Sequence, residues 1–356
     1  MTLAKGVYSA SSAALLSPGV TLTTKLIEMI KSADLAAVIV EDDRLQDIPS
    51  QEFVSEEALF RASSAVHEVY KQARTGSELD IPKVRRTAYE LVDEVTSISV
   101  EEQMAAVQIN RTVNDYLAEH LVQVAVLAIA VGRLRSYRME QLRELAIAAL
   151  LMDIGIMGIS QSVLETKRRF SRTEQDEMKK HCMQGYLMAR KYLSVPLNSA
   201  VAILHHSERY NGSGYPQGLR GDEINEYARI LAVCDTYDAL ITDRTYRRRY
   251  LSQQALGILG AGANQTFDED IVKAFSQIVA PYPVGSMVEL NTRDTAIIVA
   301  VNRESKSRPV IRLLLDRRRY VIDGIMEIDL QEAPWIQIVK MVEDISVPVM
   351  WKSLLF

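Results

Sequence analysis

The chain has 356 residues, enough for two or three domains, and its 48% hydrophobic and 24% charged content is typical of a globular protein. The net charge of -5 argues against a general nucleic-acid-binding surface and so against DNA as a partner. Two cysteines exclude a disulfide scaffold, apolar runs such as 122–131 are too short for a membrane span, and no secretory leader is evident, so we expect a cytoplasmic protein.

Residues 1–54 predict a small mixed α/β module. The segment 14–19 is typical of a strand end followed by a turn, and Thr23 is placed to cap a short helix that ends near Ser32. Residues 36–41 form a β-branched run that predicts a buried strand.

Residues 55–104 predict a helical connector. Ser55 precedes two glutamates, which favours a helix start because acidic groups are stabilised at the positive end of the helix. Helices are expected over 56–74 and 82–97. The connector either dimerises the chain or packs against the next domain, and the sequence leaves both interpretations open.

Residues 105–282 predict a helical domain, and residues 283–356 a small β-rich domain, so the fold class is mainly α. Apolar faces at helical spacing predict helices over 117–134 and 139–151. Ser171 and Glu174 fit a capping box that opens the helix carrying His181. Glycine and proline predict a loop over 211–221. Alternating runs predict four short strands: 287–290, 296–301, 310–315 and 320–322.

Six residues of the helical domain are of the types that bind first-row metals. They are His120, Asp153, His181, His205, His206 and Asp235. Asp153 and Asp235 each follow an apolar helical run, where an ionised carboxylate is costly unless it is paired or bound to a cation. Adjacent residues of a helix diverge by about 100°, so His205 and His206 face one metal only at a helix end or bend. The alternative is a set of buried, hydrogen-bonded polar residues.

Arginines that follow the last of these residues are candidates for binding phosphate. Arg244 and Arg247 follow Asp235 within a basic run, and a guanidinium binds phosphate oxygens in a bidentate manner. Two metals that share a carboxylate would activate water for attack on a phosphodiester. The alternative for the basic run is a solvated surface.

At these residues the chain resembles the HD-GYP family of cyclic di-GMP phosphodiesterases. The resemblance covers residues 105–282, and its most specific parts are 205–216, which contains Gly214-Tyr215-Pro216, then 228–240 and 243–246. It implies a cytoplasmic signalling enzyme with one or two divalent ions, commonly iron or manganese. It also implies a cyclic dinucleotide as the ligand.

The resemblance assigns a role to each candidate. It implies that His120 and Asp235 bind one metal, that Asp153 bridges two, and that His181, His205 and His206 bind the second. Asp153 and His206 would then be the catalytic residues. Tyr215 would lie near the nucleotide, and Arg244 and Arg247 would hold its phosphates.

Two departures from the family pattern fall at one side of the predicted site. Met152 stands where the family has its histidine, and Ile156 where it usually has a lysine. A thioether is a soft ligand that suits iron or manganese poorly, so the metal at His120 and Asp235 is expected to be weak or absent. Loss of one well-placed electrostatic group costs about 10²–10³ in rate.

Two functions follow from this pattern. The first is hydrolysis of cyclic di-GMP with reduced activity. The second is a catalytically inactive member that regulates by binding the nucleotide, or by binding a diguanylate cyclase or another regulatory protein through the Tyr215 loop. Hydrolysis of another phosphate ester by a single metal is a third option.

Overall fold

The computed structural model describes residues 54–99, 116–164, 170–192, 194–242 and 249–342, together with 3, 7–8, 14–17, 19–32, 47, 166 and 168. These residues form two compact units. One unit is helical and is drawn from 52–109 and 117–283. The other is drawn from 1–51, 110–116 and 284–356, so it combines the two ends of the chain.

Near the N-terminus, β1 (Val7–Tyr8) pairs antiparallel with β2 (Ala14–Leu16). Helix α1 (Thr24–Ser32) follows, and the Thr23 hydroxyl accepts a hydrogen bond from the Leu26 N–H at 3.3 Å. The expected strand, turn and capped helix are therefore confirmed. The strand predicted over 36–41 lies outside the described residues.

The helical unit contains eleven α-helices among its described residues, with 3-10 helices at Ile154–Gly158 and Gly221–Glu223. The α-helices are α2 (Glu56–Thr75), α3 (Ile81–Ser97), α4 (Tyr116–Leu134), α5 (Met139–Leu151), α6 (Gln161–Leu164), α7 (Arg172–Met178), α8 (Lys180–Arg190), α9 (Leu197–His205), α10 (Glu226–Ile241), α11 (Ser252–Ala261) and α12 (Glu269–Ile278). The mainly helical fold class is confirmed.

Helix α4 lies at the centre of this unit. Its stretch Leu117–Leu134 is long and apolar enough to cross a membrane by length and composition. This stretch is longer than the apolar run 122–131 that the sequence analysis considered too short for a membrane span. However, 78% of that stretch is buried inside the unit. Its apolar side chains are covered by neighbouring helices, as in the core helix of a globular domain.

Helices α2 and α3 pack within the helical unit. The Ser55 hydroxyl caps α2 by accepting from the Ala58 N–H at 3.3 Å, as the sequence predicts. The Tyr70 hydroxyl donates to the Leu150 carbonyl oxygen at 3.2 Å, which joins α2 to the end of α5. The segment predicted as a connector therefore covers the helix that leads into Asp153.

The expected capping box is present, but the helix it opens is shorter than predicted. Glu174 N–H donates to the Ser171 hydroxyl at 3.3 Å, and the Ser171 N–H donates to the Glu174 carboxylate at 2.7 Å. Helix α7 ends at Met178, and His181 lies on α8. The break is slight, because Lys179 between them keeps right-handed helical angles.

A close backbone crossing places Asp153 against α8. A β-carbon on Gly155 would lie 2.0 Å from the His181 carbonyl oxygen and 2.5 Å from the Gly185 nitrogen. Only glycine allows the 3-10 helix after Asp153 to approach α8 this closely. The crossing fixes the position of Asp153 relative to His181.

The second unit contains an antiparallel sheet in the order β6-β5-β4-β3-β7. Its strands are β3 (Met287–Leu290), β4 (Thr295–Ala300), β5 (Val310–Leu315), β6 (Glu327–Asp329) and β7 (Ile338–Val342). The β-rich C-terminal domain is confirmed. Arg312 of β5 is buried and pairs with Glu327 at 2.5 Å and with Asp47 at 2.6 Å.

The strand predicted over 320–322 is wrong, and β6 and β7 were not predicted. The Asp316 carboxylate accepts from the N–H groups of Arg318 and Tyr320, so this segment is held as a turn. Within it, Val321 makes only an isolated bridge to Leu315. Strand β6 is acidic and short, and its pairing with β5 overrides its weak strand propensity.

Candidate metal centre

Met152 and Asp153 point into different surroundings. Helix α5 ends at Leu151, and Met152 caps it with right-handed helical angles. The Met152 side chain is fully buried and belongs to the hydrophobic core. Asp153 is partly exposed, with 15% of its side chain open to solvent. The residue at the family's histidine position therefore packs as a core residue.

The first corner of the site, which we call the histidine pair, consists of His181 and His206 with Asp153. Their Nε2 atoms lie 3.1 Å apart, and Asp153 Oδ1 lies 3.5 Å from one and 3.6 Å from the other. The Nδ1 atom of His181 lies 2.6 Å from the Met178 carbonyl oxygen, and that of His206 lies 2.7 Å from the Ile203 carbonyl oxygen. A carbonyl oxygen only accepts, so each Nδ1 carries the proton and each Nε2 presents a lone pair.

This arrangement fits a bound cation. Two lone pairs and a carboxylate that converge at such distances repel one another unless a positive charge lies between them. Burial is the main cause that lowers the pKa of His206, and it outweighs the opposing charge of Asp153. A second proton, on Nε2 of that ring, is therefore disfavoured. Neutral imidazole and carboxylate are the donors that divalent first-row metals take.

Cys182 adds a fourth potential ligand that is not among the candidates identified from the sequence. Its Sγ lies 3.5 Å from His181 Nε2 and 4.0 Å from His206 Nε2. His181, Cys182 and His206 are all buried and bring ligand atoms within 4.8 Å of one another. Burial is the main cause that raises the pKa of the Cys182 thiol to about 12; a hydrogen bond with Ser207 opposes it, and the charges of Asp153 and Glu208 add to it.

His205 is not brought to the histidine pair by its contacts in the structure. Its Nδ1 accepts a hydrogen bond from the Asn225 N–H at 3.3 Å, and burial lowers its pKa. Helical angles persist through His206, so the two adjacent rings diverge as an unbent helix requires. Asn225 in turn caps α10 by accepting from the Tyr227 N–H at 3.0 Å.

The second corner, which we call the carboxylate pair, consists of Asp235 and Asp238 of α10 with His120 of α4. His120 Nδ1 lies 2.5 Å from Asp238 Oδ2, and its Nε2 lies 3.1 Å from Asp235 Oδ1. The sequence reading missed Asp238. Its signal was the spacing of three residues from Asp235, which places both carboxylates on one face of a helix.

The carboxylate pair changes the protonation of His120. Burial alone would lower the pKa of His120, but the hydrogen bonds and charges of Asp235 and Asp238 raise it well above its ordinary value. Burial would raise the pKa of Asp235, and His120 outweighs this and lowers it. Both nitrogens of the His120 ring are thus matched by carboxylate oxygens.

The two aspartates of the predicted ligand set lie on the accessible side of the site. Asp235 exposes 29% of its side chain and Asp153 exposes 15%, whereas His181 and His206 expose 6% and 4%. A ligand from solvent therefore meets the carboxylates before the imidazoles.

The Tyr215 loop is folded back onto the end of α9. The buried Glu208 carboxylate accepts from the N–H groups of Gln217, Gly218 and Leu219 at 2.6, 3.1 and 3.1 Å. A β-carbon on Gly214 would lie 2.3 Å from the Arg209 nitrogen, so this contact requires glycine.

These contacts hold the Tyr215 ring beside the histidine pair. Its centroid lies 6.1 Å from that of the His181 ring, and Lys179 Nζ lies 5.9 Å from the Tyr215 centroid. Burial raises the pKa of the Tyr215 hydroxyl. An aromatic face and a cation therefore border the proposed metal position.

Of the remaining predicted residues, Ile156 lies within the described part of the chain, whereas Arg244 and Arg247 do not. Ile156 is partly buried on the 3-10 helix after Asp153 and supplies no charge there. Arg209, which the sequence reading did not select, contributes to lowering the pKa of Asp235. It is a guanidinium near the site within the part of the chain that the structure describes.

Known proteins match both units. The HD domain family model matches residues 100–271, and the model of the KOW domain associated with HD domains matches 287–347. A cyclic di-GMP phosphodiesterase of Pseudomonas aeruginosa is 31% identical over 278 residues, which is 77% of this chain and 65% of that protein. These matches support the resemblance of the chain to the HD-GYP family.

Another relative and a solved structure agree with this resemblance. A cyclic di-GMP phosphodiesterase of Borreliella burgdorferi is 27% identical over 62% of this chain and 58% of its own length. The chain thus spans less than two thirds of each of these curated relatives. A solved structure described as an HDG"Y"P protein from Bdellovibrio bacteriovorus has a TM-score of 0.53 at 17% identity, covering 78% of this chain and 95% of that one, and shows the same fold.

The HD domain that matches residues 100–271 is a metal-dependent hydrolase fold. The metal binding expected from the sequence is consistent with that fold.

Proposed function

We propose that this HD-GYP protein hydrolyses cyclic di-GMP with the aid of one divalent ion, at reduced rate. The observation that carries the proposal is the convergence of two Nε2 lone pairs and the Asp153 carboxylate within 3.6 Å. The names of the relatives support the substrate. The nitrogen and oxygen ligands leave iron and manganese, both expected for the family, as the candidate ions.

Each side chain has a role in this proposal. Asp153, His181 and His206 hold the ion, and the partly exposed Asp153 also orients the attacking water. The ion, when bound, supplies a positive charge that activates this water and stabilises the developing charge on phosphate. Asp153 and His206 are the proposed catalytic residues. The contacts of His205 do not support a ligand role for it.

A second ion at the carboxylate pair has little support from the structure. His120 and Asp235 are the remaining candidate ligands there, since the Met152 thioether is enclosed in the hydrophobic core. Ile156 adds no cation beside Asp153. Each of these losses weakens stabilisation of the transition state, and one such loss costs about 10²–10³ in rate.

The substrate is proposed to lie along the Tyr215 loop. The Tyr215 ring offers a surface for stacking a guanine base beside the histidine pair. Arg244 and Arg247 are proposed to bind the phosphates.

The deciding experiment measures metal content and hydrolysis of cyclic di-GMP by the purified protein, with iron or manganese supplied without oxygen. We expect about one ion per chain and slow turnover that His206→Ala abolishes. A Met152→His, Ile156→Lys variant is expected to bind a second ion and turn over faster. A variant that stays slow with a single ion would contradict this account of the low rate.

A non-catalytic regulator is the second candidate, and the burial of Met152 in the core favours it. Such a protein would bind cyclic di-GMP, or a diguanylate cyclase or other regulatory protein, through the Tyr215 loop. Micromolar nucleotide binding that Arg244→Ala removes, with no turnover under any metal, would establish this function. Turnover lost in His206→Ala would exclude it.

Three further expectations belong to this proposal. We place the protein in the cytoplasm, where two buried free cysteines stay reduced. We keep the predicted division at about residues 54, 104 and 282, and the HD and KOW matches support its last two parts. A homodimer stays a prediction.

A further inference from the structure

We propose that Cys182 is a ligand of the ion at the histidine pair, where its sulfur joins the Nε2 atoms of His181 and His206. This inference rests on the metal site of the proposed function and adds to it a sulfur ligand. It also selects the class of ion, because thiolates favour zinc or iron(II) over manganese.

The separations between ligand atoms are the first support. Bonds of about 2.3 Å to sulfur and about 2.05 Å to nitrogen or oxygen give tetrahedral edges of about 3.3 Å between nitrogens and about 3.6 Å from nitrogen to sulfur. In the structure the two Nε2 atoms are 3.1 Å apart, and Cys182 Sγ lies 3.5 and 4.0 Å from them. Asp153 Oδ1 lies 3.5 and 3.6 Å from the same nitrogens. Each of these separations is within about 0.5 Å of the ideal edge.

The direction of the side chains is the second support. The Nδ1 atoms of His181 and His206 bond to backbone carbonyls of their own helices, so both Nε2 atoms are fixed toward the sulfur. Such backbone partners orient imidazole ligands in metal sites. Cys182 itself is fully buried, so its thiol faces the interior of the protein.

The other cysteine provides a contrast. Cys234 is also fully buried, and it precedes Asp235 on α10. It belongs to the hydrophobic core cluster of the helical unit, whereas Cys182 does not. A cysteine next to a candidate ligand in sequence therefore does not by itself form part of a site, and the geometry distinguishes the two.

Binding through sulfur has a chemical consequence. The Cys182 S–H bond breaks as the sulfur–metal bond forms, and the proton passes to solvent, so no oxidant or reductant is needed. With sulfur as a further ligand, water reaches the ion only by a fifth position, into which hydrolytic zinc sites can expand. This gives a reason for slow turnover that is independent of Met152.

Cobalt(II) is the probe that tests the inference. The full-length protein, stripped of metal and reloaded with cobalt(II) without oxygen, is expected to show a near-ultraviolet sulfur-to-cobalt charge-transfer band at one ion per chain. Cys182→Ala is expected to lose the band and more than about tenfold in affinity, since even a lost second-shell partner costs about 10–100-fold. The matched variant Cys234→Ala is expected to keep both.

The outcomes separate this inference from the proposed function. Stoichiometric cobalt without the band, or a band that survives Cys182→Ala, overturns the sulfur ligand and leaves the metal site intact. A protein that binds no cobalt overturns both. Should Cys182→Ala fail to fold, Cys182→Ser keeps the size of the side chain but supplies oxygen, so the band must still disappear.

Discussion

The two corners of this site contain the same kinds of side chain, yet they differ in what satisfies them. At the carboxylate pair, His120 has a carboxylate oxygen at each ring nitrogen, 2.5 and 3.1 Å away. At the histidine pair, both Nδ1 atoms are committed to backbone carbonyls, and the two Nε2 atoms face each other. The carboxylate pair can be neutralised by a proton on His120, whereas the histidine pair presents acceptors alone. The comparison shows that the hydrogen-bond partners of a histidine decide whether a ring nitrogen is available to bind a metal.

The largest effect is expected where the histidine pair depends on backbone contact. In Gly155→Ala the new methyl group would meet the His181 carbonyl oxygen at 2.0 Å, so the 3-10 helix must move away from α8. We expect a loss of about 3 kcal/mol in the free energy of unfolding together with loss of the bound ion. Urea denaturation and metal analysis measure the two effects. Gly257→Ala is the control, because nothing lies within 4 Å of its added carbon, and the variant should be slightly more stable.

At the carboxylate pair, Asp238→Asn is expected to lower the stability of the protein without removing the ion. This change removes the charge of the buried partner of His120, and we expect about 2 kcal/mol of destabilisation. The ion at the histidine pair should remain, because Asp238 pairs with His120 at the other corner. Asp270→Asn on the surface, where 77% of the side chain is exposed, serves as the control for thermal and metal measurements. Loss of the ion in Asp238→Asn would show that the two corners are one coupled site.

The Tyr215 loop borders the histidine pair, and Glu208→Gln tests what holds it there. The amide presents one acceptor oxygen to three N–H groups and loses the charge that strengthens their bonds. We expect about 1–2 kcal/mol of destabilisation and faster amide hydrogen exchange over 211–220, with metal content unchanged. Glu57→Gln, at a glutamate that is 80% exposed, should show neither change. Unaltered exchange in the loop would mean that Glu208 does not hold it.

The smallest effect is expected for Met152→Leu. The two side chains have similar volume, so a core position should lose less than about 1.5 kcal/mol and keep its ion. Metal analysis of this variant checks the assignment of Met152 to the core. If the thioether were a ligand, the ion content would fall while the free energy of unfolding stayed nearly constant.

Much of the fold could be predicted from the sequence, because its signals are local. The Ser55 cap, the box of Ser171 and Glu174, and the apolar faces of α4 and α5 each depend on residues within one helix. Strand β6 could not be predicted, because Glu327–Asp329 becomes a strand only through its pairing with β5. The same limit applies to the contact between Gly155 and α8, which joins residues far apart in the chain.

The residue types that could bind a metal were predictable from the sequence, but the directions in which their side chains point were not. Sequence identifies His205 and His206 as a pair of candidates, but the helical angle at His206 decides which ring turns toward His181. Cys182 and Cys234 are equivalent in sequence, each beside a candidate ligand, and only packing distinguishes them. Asp238 lies three residues after Asp235 on one helix face, but its pairing with His120 joins two helices and could not be predicted from the sequence.

The partly exposed carboxylates of Asp153 and Asp235 also affect the order in which the metal ion and a nucleotide can bind. A nucleotide phosphate that approaches the metal-free protein encounters Asp153 and Asp235 first, and like charges repel at this range. Once an ion is seated, the same side of the site becomes attractive. Under the proposed function, nucleotide binding is therefore expected to follow metal uptake, so the supply of the ion would govern when the nucleotide can bind.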